Sequence, residues 1–314
     1  MIVWPKTQSR VHIAVALTMG VVFGAVVEAN GTLGLGILTG IVTAAGYYYA
    51  SMHRYLARLK LARQPFPDSW RSILVRCVPF YRALDPNGRN RFETDIRLFL
   101  AEQNIYGLRG SEVAEDVRLL IAASAAMIGH GIPEWEWPGV RDILVYPTAF
   151  DEEYEMADDN PVAGIVHQQG PVIFSERDLR RAFCGGTDGE GNVGLHEMAH
   201  VMDMVDGDAD GVPPGMSASI AGPWIRIMAE RIRQIRDPRS RNLLRAYAGE
   251  NEAEFFAVAV EAFFGRPREM KRRDPELYAM LSHYLNLDTA SIMARLRKSP
   301  AEPLPQIPKD PHHD

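Results

Sequence analysis

The sequence predicts an α+β domain preceded by a two-helix transmembrane hairpin. Two uncharged apolar runs near the N-terminus, 11–27 and 33–50, are each long enough for a membrane helix. The remainder of the 314 residues mixes helical spacing of apolar residues with short β-branched runs. The composition, 46% hydrophobic and 24% charged, excludes a disordered, collagen-like or coiled-coil protein. We expect a hairpin with a basic helix over 1–63, the α+β domain over 64–298 and a tail over 299–314.

The charge distribution separates the hairpin from the domain. Residues 1–63 hold six basic residues and one acid, whereas the remainder holds 28 basic and 39 acidic residues. The basic residues flank the two apolar runs and are absent from their connection, so the positive-inside rule predicts that both ends and the domain lie in the cytoplasm. Two other interpretations are a cleaved signal peptide ending near Ala29 and a buried hairpin of a soluble protein.

Glycines spaced four apart, at 20 and 24 and at 36 and 40, would let the two helices approach closely. The basic stretch 54–63 predicts an amphipathic helix that binds an anionic lipid bilayer. A net charge of −6 argues against nucleic acid as a partner. Cys77 and Cys184 cannot form a disulfide scaffold, and we expect packed thiols in a reducing compartment.

The domain shows six recognisable elements. Apolar spacing predicts helices, and β-branched runs bounded by turn residues predict strands. The predicted helices are 89–103, 113–128, 223–236 and 253–264, and the predicted strands are 142–145 and 171–174. The second strand could align an extended substrate by edge pairing. The proline-rich residues from 300 onward predict a disordered tail.

The strongest chemical signal is the pentapeptide His-Glu-Met-Ala-His at 196–200. Residues four apart share one face of a helix, so the imidazoles of His196 and His200 can bind one metal ion. Glu197 would then accept a proton from the water molecule that the metal activates. The alternative is a surface helix with two solvated histidines.

A catalytic zinc ion usually has three protein ligands. The metzincin extension needs Gly at 203 and His at 206, where this chain has Asp203 and Asp206, so that subclass is excluded. The residues leave Glu254, Glu261 and His283 open as the third ligand, because an acid on an apolar helix face is costly unless it is paired or metal-bound.

Asp203 lies one turn after His200, where its carboxylate could hold the second N–H of a ligand imidazole. An unpartnered acid at a helix end is the alternative. The following acids at 206, 208 and 210 resemble a calcium loop, but the register lacks its closing Glu and we reject calcium.

Two segments carry a family resemblance. The stretch 192–207, Asn-Val-Gly-Leu-His-Glu-Met-Ala-His-Val-Met-Asp-Met-Val-Asp-Gly, with Gly-Val-Pro at 211–213, resembles the active-site segment of the Mlc titration factor A family of zinc peptidases. Tyr-Ala-Gly-Glu-Asn-Glu-Ala-Glu-Phe-Phe at 247–256 resembles that family's second motif. Its part from 251 onward is also similar to the anthrax lethal factor protease domain. With upstream segments in family order, the resemblance covers about residues 78–285.

The resemblance implies a zincin-like metallopeptidase fold with a bound Zn²⁺ ion. It implies His196, His200 and Glu254 as metal ligands, Glu197 as general base and Tyr247 as a stabiliser of the oxyanion. A phenolic O–H can donate to the charge that develops in a tetrahedral intermediate. Glu261 then has a structural or supporting role.

Three positions depart from the family pattern. Arg245 and Ala246 replace a frequent Asp-Pro, and Met198 replaces a frequent Phe. None of these departures is expected to touch the metal chemistry. The sequence therefore predicts a zinc peptidase that cleaves peptide or protein substrates at the cytoplasmic face of the cell inner membrane. The alternative is a regulatory protein that binds and sequesters a transcription repressor, with proteolysis secondary.

Overall fold

A computed structural model describes most of the chain. The described residues are 1–29, 31, 33–138, 140, 142–148, 164–166, 171–185, 191–240 and 242–297. The predicted tail over 299–314 lies outside them. The chain forms two compact units, Met1–Pro65 and Phe66–Asp314.

The first unit is a helical hairpin of α1 (Lys6–Glu28) and α2 (Leu33–Ala62). The helices approach most closely at the glycines, as their spacing predicts. A Cβ added at Gly20 would lie 2.7 Å from the carbonyl oxygen of Gly40, and one added at Gly24 would lie 2.9 Å from that of Gly36. Any larger residue would force the backbones apart, so these glycines set the helix separation.

The outer faces of this hairpin are apolar and exposed. Examples are Val21 at 72% and Ile41 at 62% exposure. Among the described residues one helix, α1, is long and apolar enough to cross a membrane. The second helix runs without a break through the basic stretch 54–63, so the predicted amphipathic segment continues the hairpin helix.

The second unit is mainly helical with one small sheet. Its helices are α3 (Asp68–Cys77), α4 (Pro79–Ala83), α5 (Pro86–Glu102), α6 (Glu115–Gly129), α7 (Glu176–Cys184), α8 (Val193–Asp203), α9 (Ala218–Arg236), α10 (Glu252–Gly265), α11 (Pro267–Arg273), α12 (Pro275–Tyr284) and α13 (Thr289–Ala294). Its strands are β1 (Asn104–Gly107), β2 (Asp142–Tyr146), β3 (Gly164–Val166) and β4 (Val172–Ser175). All six predicted elements are present, and the α+β class is confirmed.

The sheet has the order β1-β2-β4-β3, with β3 antiparallel to its neighbour and the other pairs parallel. The prediction that the strand near 171–174 offers a free edge is wrong. That strand, β4, is paired with β2 on one side and with β3 on the other. In this sheet β3 is an edge strand, and it contacts α8.

Helices α6, α8 and α10 form the centre of the second unit. Helix α6 is buried on all sides over 119–129, and its run of small residues, Ala122 to Ala126, leaves room for neighbouring elements to pack closely. It contacts α5 and α8, and α10 contacts α8 from another side. Phe255, Phe256 and Phe263 of α10 are fully buried. Burying each such ring contributes roughly 1.5–3 kcal/mol to the free energy of unfolding.

The expectation of two separate thiols is wrong. Cys77 at the end of α3 and Cys184 at the end of α7 form a disulfide bond, with their Cα atoms 4.5 Å apart. The two residues are 107 positions apart, so only the packing of these helices reveals the pair. The cysteines therefore do not indicate a reducing compartment, because disulfide bonds persist mainly in oxidising compartments.

Buried His130 predicts a loss of stability in mild acid. Burial, assisted by the charge of Arg91, lowers its pKa from the ordinary 6.5 to about 4. Between those values the unfolded chain binds a proton that the folded chain does not, so the free energy of unfolding falls as pH drops from 6.5 to 4. His130→Phe keeps a ring against Phe80 and Phe92. Urea titrations of the chain in detergent should show a weaker pH dependence for this variant.

The exposed His283 provides the control, because His283→Gln removes an imidazole from the surface of α12. That variant should follow the wild type at every pH. An unchanged pH dependence in His130→Phe would show that His130 does not contribute.

Candidate metal centre

Helix α8 begins at a capped and closely packed turn. The Asn192 side chain accepts a hydrogen bond from the backbone N–H of Leu195 at 3.0 Å. A Cβ added at Gly194 would lie 2.2 Å from Oγ of Ser124 on α6. The cap and the glycine together fix the start of α8 against α6, within about one turn of His196.

The predicted third ligand, Glu254, lies in the first turn of α10. Asn251 caps this helix by accepting a hydrogen bond from the backbone N–H of Glu254 at 2.9 Å. Because α10 packs against α8, the carboxylate of Glu254 reaches both imidazoles of that helix. Its seven-residue spacing from Glu261 places the two carboxylates on the same side of α10.

The three predicted ligands converge on one point. Nε2 of His196 and Nε2 of His200 are 3.1 Å apart. The Glu254 carboxylate lies 3.1 Å from the first nitrogen and 3.4 Å from the second. Within the described part of the chain, these residues form the one group of three whose ligand atoms could share a metal ion.

The charges in this group favour a cation. Burial acts to lower the pKa of His196, but contacts with Glu254 and Glu261 outweigh burial and raise it to about 10. Burial acts to raise the pKa of Glu254, but the imidazoles of His196 and His200 outweigh it and lower the pKa to about 2. The site thus stabilises a positive charge at the point where the three side chains meet.

Glu197 and Tyr247 lie beside this group. Glu197 is buried, at 4% exposure, and burial raises the pKa of its carboxyl above the ordinary value, opposed by the charges of His196 and His200. The Tyr247 ring centroid is 5.8 Å from that of His196. Partial burial, followed by the nearby carboxylate of Glu254, raises the pKa of the Tyr247 phenol. The phenol therefore keeps its proton and can donate it in a hydrogen bond.

Glu261, for which the family resemblance implies a structural or supporting role, contacts His196. Its Oε1 lies 2.8 Å from Nδ1 of His196 and also accepts a hydrogen bond from Arg245. Arg245, one of the departures from the family pattern, thus pairs with a carboxylate that contacts His196. Glu261 was detectable as an acid on an apolar helix face, but its partner on another helix was not.

Asp203 is buried at the end of α8 and is held by the next loop. Its Oδ2 accepts a hydrogen bond from the backbone N–H of Gly211 at 2.9 Å, and burial raises its pKa to about 6. Gly211 has a φ of +71°, and a Cβ there would lie 2.3 Å from the carbonyl oxygen of Glu252. Oδ1 of Asp203 and Nδ1 of His200 are both buried without a hydrogen-bond partner. The predicted contact between these side chains stays a prediction.

Two further candidates do not join the site. His283 lies on α12 with its side chain exposed, and it is not part of the group of three ligands. The side chains of Asp206 and Asp210 accept hydrogen bonds from backbone N–H groups of their own loop, at Asp208 and Val212. These contacts are those of a turn, which agrees with the rejection of a calcium loop.

Comparison with known proteins agrees with this geometry. Residues 52–286 match the family model described as glucose-regulated metallo-peptidase M90. The chain belongs to this metallopeptidase family. The matched range includes the whole group of ligands together with Glu197 and Tyr247, whereas residues 1–51 of the hairpin lie outside it.

Relatives align over most of their length. An uncharacterized protein from Synechocystis is 32% identical over 271 residues, which cover 81% of this chain and 96% of the relative. Mlc titration factor A from Cronobacter sakazakii is 30% identical, with 75% of this chain and 91% of the relative covered. The same-named protein from Salmonella choleraesuis is 31% identical with the same coverage. The resemblance to the Mlc titration factor A family is confirmed.

Removing the third ligand tests the centre directly. Glu254→Ala deletes the carboxylate that lies near both imidazoles, so metal affinity should fall more than about 100-fold. Loss of a residue that only hydrogen-bonds a metal ligand costs up to about 100-fold. Glu252→Ala, on an exposed position of the same helical turn, is the matched control and should bind metal as the wild type does. Titration with Zn²⁺ in competition with a chromophoric chelator measures both variants. Equal affinities in the two variants would contradict the assignment of Glu254.

Proposed function

We propose that this chain is a zinc-dependent peptidase held at the cytoplasmic face of the inner membrane by its N-terminal hairpin. The observation that carries the proposal is the convergence of His196, His200 and Glu254 beside the buried carboxylate of Glu197. Two imidazoles, one carboxylate and a neighbouring general base are the set of groups that hydrolytic zinc sites use.

The spacing of the three ligands fits zinc. Two ligand atoms each about 2.0–2.1 Å from a tetrahedral zinc ion lie about 3.3 Å apart. Nε2 of His196 lies 3.1 Å from Nε2 of His200 and 3.1 Å from Oε2 of Glu254, and Nε2 of His200 lies 3.4 Å from Oε1 of the same carboxylate. Oε2 of Glu254 is also buried without a hydrogen-bond donor, as expected of an oxygen reserved for a metal. A ligand set of two imidazole nitrogens and one carboxylate favours zinc, because calcium and magnesium prefer oxygen ligands.

Each remaining side chain has a defined task. When bound, the metal supplies Lewis acidity, which polarises the scissile carbonyl and makes a water molecule acidic. Glu197 accepts a proton as the water oxygen bonds to the carbonyl carbon. It then delivers that proton to the leaving nitrogen as the C–N bond breaks, and its raised pKa suits both transfers. The phenol of Tyr247 donates a hydrogen bond to the oxygen that becomes negative.

An extended peptide can pair with the sheet beside α8. The edge strands of the described sheet are β1 and β3, and we assign edge pairing with the substrate to β3. Its contact with α8 supports this placement, because a peptide along that strand runs past the helix that carries His196 and His200.

The hairpin supports membrane anchoring. Its exposed residues are apolar on both helices, its connection lacks basic residues, and its ends carry Lys6, Arg10 and the bases of 54–63. Polar contacts between the helices lie toward that basic end, where Nδ1 of His12 is 3.0 Å from the hydroxyl of Tyr47. This arrangement supports two membrane crossings with both ends in the cytoplasm.

The name of the relatives supports a second candidate function. They are called Mlc titration factor A, so this chain could bind and sequester a repressor of that kind, with hydrolysis secondary. Mixing the wild type with purified Mlc-type repressor, and separately with a peptide library, distinguishes the two functions. Repressor binding without cleavage of any peptide would favour sequestration.

Glu197→Gln tests the hydrolytic mechanism. The amide preserves the shape of the side chain but cannot accept the proton, so kcat should fall about 100- to 10,000-fold while the zinc content stays unchanged. Zinc is measured by atomic absorption, and cleavage by mass spectrometry of a peptide library.

Glu252→Gln, an exposed change on α10, is the matched control and should retain wild-type hydrolysis. Undiminished cleavage by Glu197→Gln would overturn the assigned role of Glu197.

Membrane vesicles test the anchoring. The full chain should resist extraction by alkaline carbonate, and protease should digest the second unit in inside-out vesicles but not in right-side-out vesicles. Alkylation of free thiols before reduction shows in parallel whether Cys77 and Cys184 are bonded in the cell. Digestion only in right-side-out vesicles would place the second unit on the outer side of the membrane, where oxidising conditions would preserve the disulfide bond.

A further inference from the structure

Glu261 holds His196 from within the protein. The carboxylate is 2% exposed, and its Oε1 lies 2.8 Å from Nδ1 of His196. A carboxylate accepts at this distance, so Nδ1 donates to Glu261 and Nε2 is the nitrogen that faces His200 and Glu254. An outer carboxylate of this kind fixes both the tautomer and the orientation of a metal-binding imidazole.

A buried carboxylate needs a counter-charge, and Arg245 provides it. The guanidinium donates to the same Oε1 that faces His196. Oε2 of Glu261 is buried without a hydrogen-bond donor, so these two partners account for the polar contacts of the carboxylate. Without Arg245, the imidazole would be the remaining partner of a charged group in a nearly dry environment.

Arg245 also belongs to the segment that carries Tyr247. This segment, 243–250, connects α9 to α10 and includes a short helical turn from Ala246 to Gly249. Arginines fix both of its ends: Arg266 donates to the carbonyl oxygen of Leu243 at 3.0 Å, and Arg236 donates to that of Gly249 at 2.6 Å. Arg245 stands two residues before Tyr247, and its ion pair connects the segment to His196 through Glu261.

We propose that Arg245 is a positioning residue that couples the tyrosine segment to the metal centre through Glu261. One ion pair sets the orientation of His196 and the place of Tyr247, two residues along the chain. Loss of the arginine would therefore disturb metal binding and stabilisation of the oxyanion together. The inference rests on the proposed zinc peptidase function. It gives a role to Arg245, a residue that lies outside the pentapeptide 196–200.

The test compares Arg245→Ala, Arg245→Gln and Arg245→Lys in the full chain. Arg245→Ala should weaken Zn²⁺ binding about 10-fold, at the lower end of the range for an outer partner of a metal ligand. It should also lower kcat with KM nearly unchanged, because Tyr247 contributes mainly in the transition state. Arg245→Lys should recover part of both losses, since lysine pairs with Glu261 as a point charge.

Two comparisons separate coupling from general damage. Tyr247→Phe should lower kcat but leave Zn²⁺ affinity unchanged. In a double-mutant cycle, Arg245→Ala should add little to the loss of Zn²⁺ affinity in Glu261→Ala, because both remove the same path to His196. The absorption spectrum of the Co²⁺-loaded chain, which reports ligand geometry, should change in Arg245→Ala and revert in Arg245→Lys.

Arg71→Ala is the matched control. Arg71 is similarly half-exposed and paired with a shielded carboxylate, Glu93 of α5, and its variant should bind Zn²⁺ and cleave peptides as the wild type does. Unchanged Zn²⁺ affinity and Co²⁺ spectrum in Arg245→Ala, or in Arg245→Gln if the alanine variant does not fold, would overturn the coupling while leaving the peptidase function intact. A wild type that binds no Zn²⁺ would overturn both.

Discussion

The site depends on a contact between two buried helices whose facing side chains are charged or polar. Helix α8 brings two imidazoles and α10 brings two carboxylates into an interior that would otherwise be apolar. Isolated charges there would cost several kcal/mol each, so every member must be paired or bound to a metal. His196 meets this constraint from both sides, with Glu261 at Nδ1 and Glu254 near Nε2. Close packing at Gly194 fixes α8 against α6 and α7, and α10 packs against α8.

The parts of the fold that the sequence predicts are those with local causes. Apolar residues located α5, α6, α9 and α10. Helix α9 buries one face, whereas α6 and α10 are buried on all sides over 119–129 and 255–264. Helix α7 has a strongly amphipathic sequence and was missed, whereas β1 and β3 have only four and three residues. Edge position cannot be read from a strand's own residues, since it depends on which partners the chain brings beside it. The incorrect expectation for β4 follows from that dependence.

The same division applies to the site. The pair His196 and His200 is local, because four residues make one helical turn. The residues alone leave three candidates for the third ligand, and only the family resemblance favours Glu254. The fold brings its carboxylate beside both imidazoles. The Glu261 contact and the disulfide bond join residues 65 and 107 positions apart, so they arise only from tertiary packing. Long-range pairs of this kind leave no periodic signal in a single sequence.

The hairpin and the disulfide bond bear on location in opposite directions. Basic residues beside the membrane helices direct insertion and favour a cytoplasmic domain. A disulfide bond instead reflects the redox conditions in the compartment where the folded protein resides. The two are compatible if the bond forms only under oxidation, because Cys184 is exposed at the end of α7 and Cys77 is buried. Helix α7 also contacts α8 near its start, where Phe183 and Leu179 lie close to Gly194. Cys184 thus ends a helix that packs against the one carrying His196 and His200.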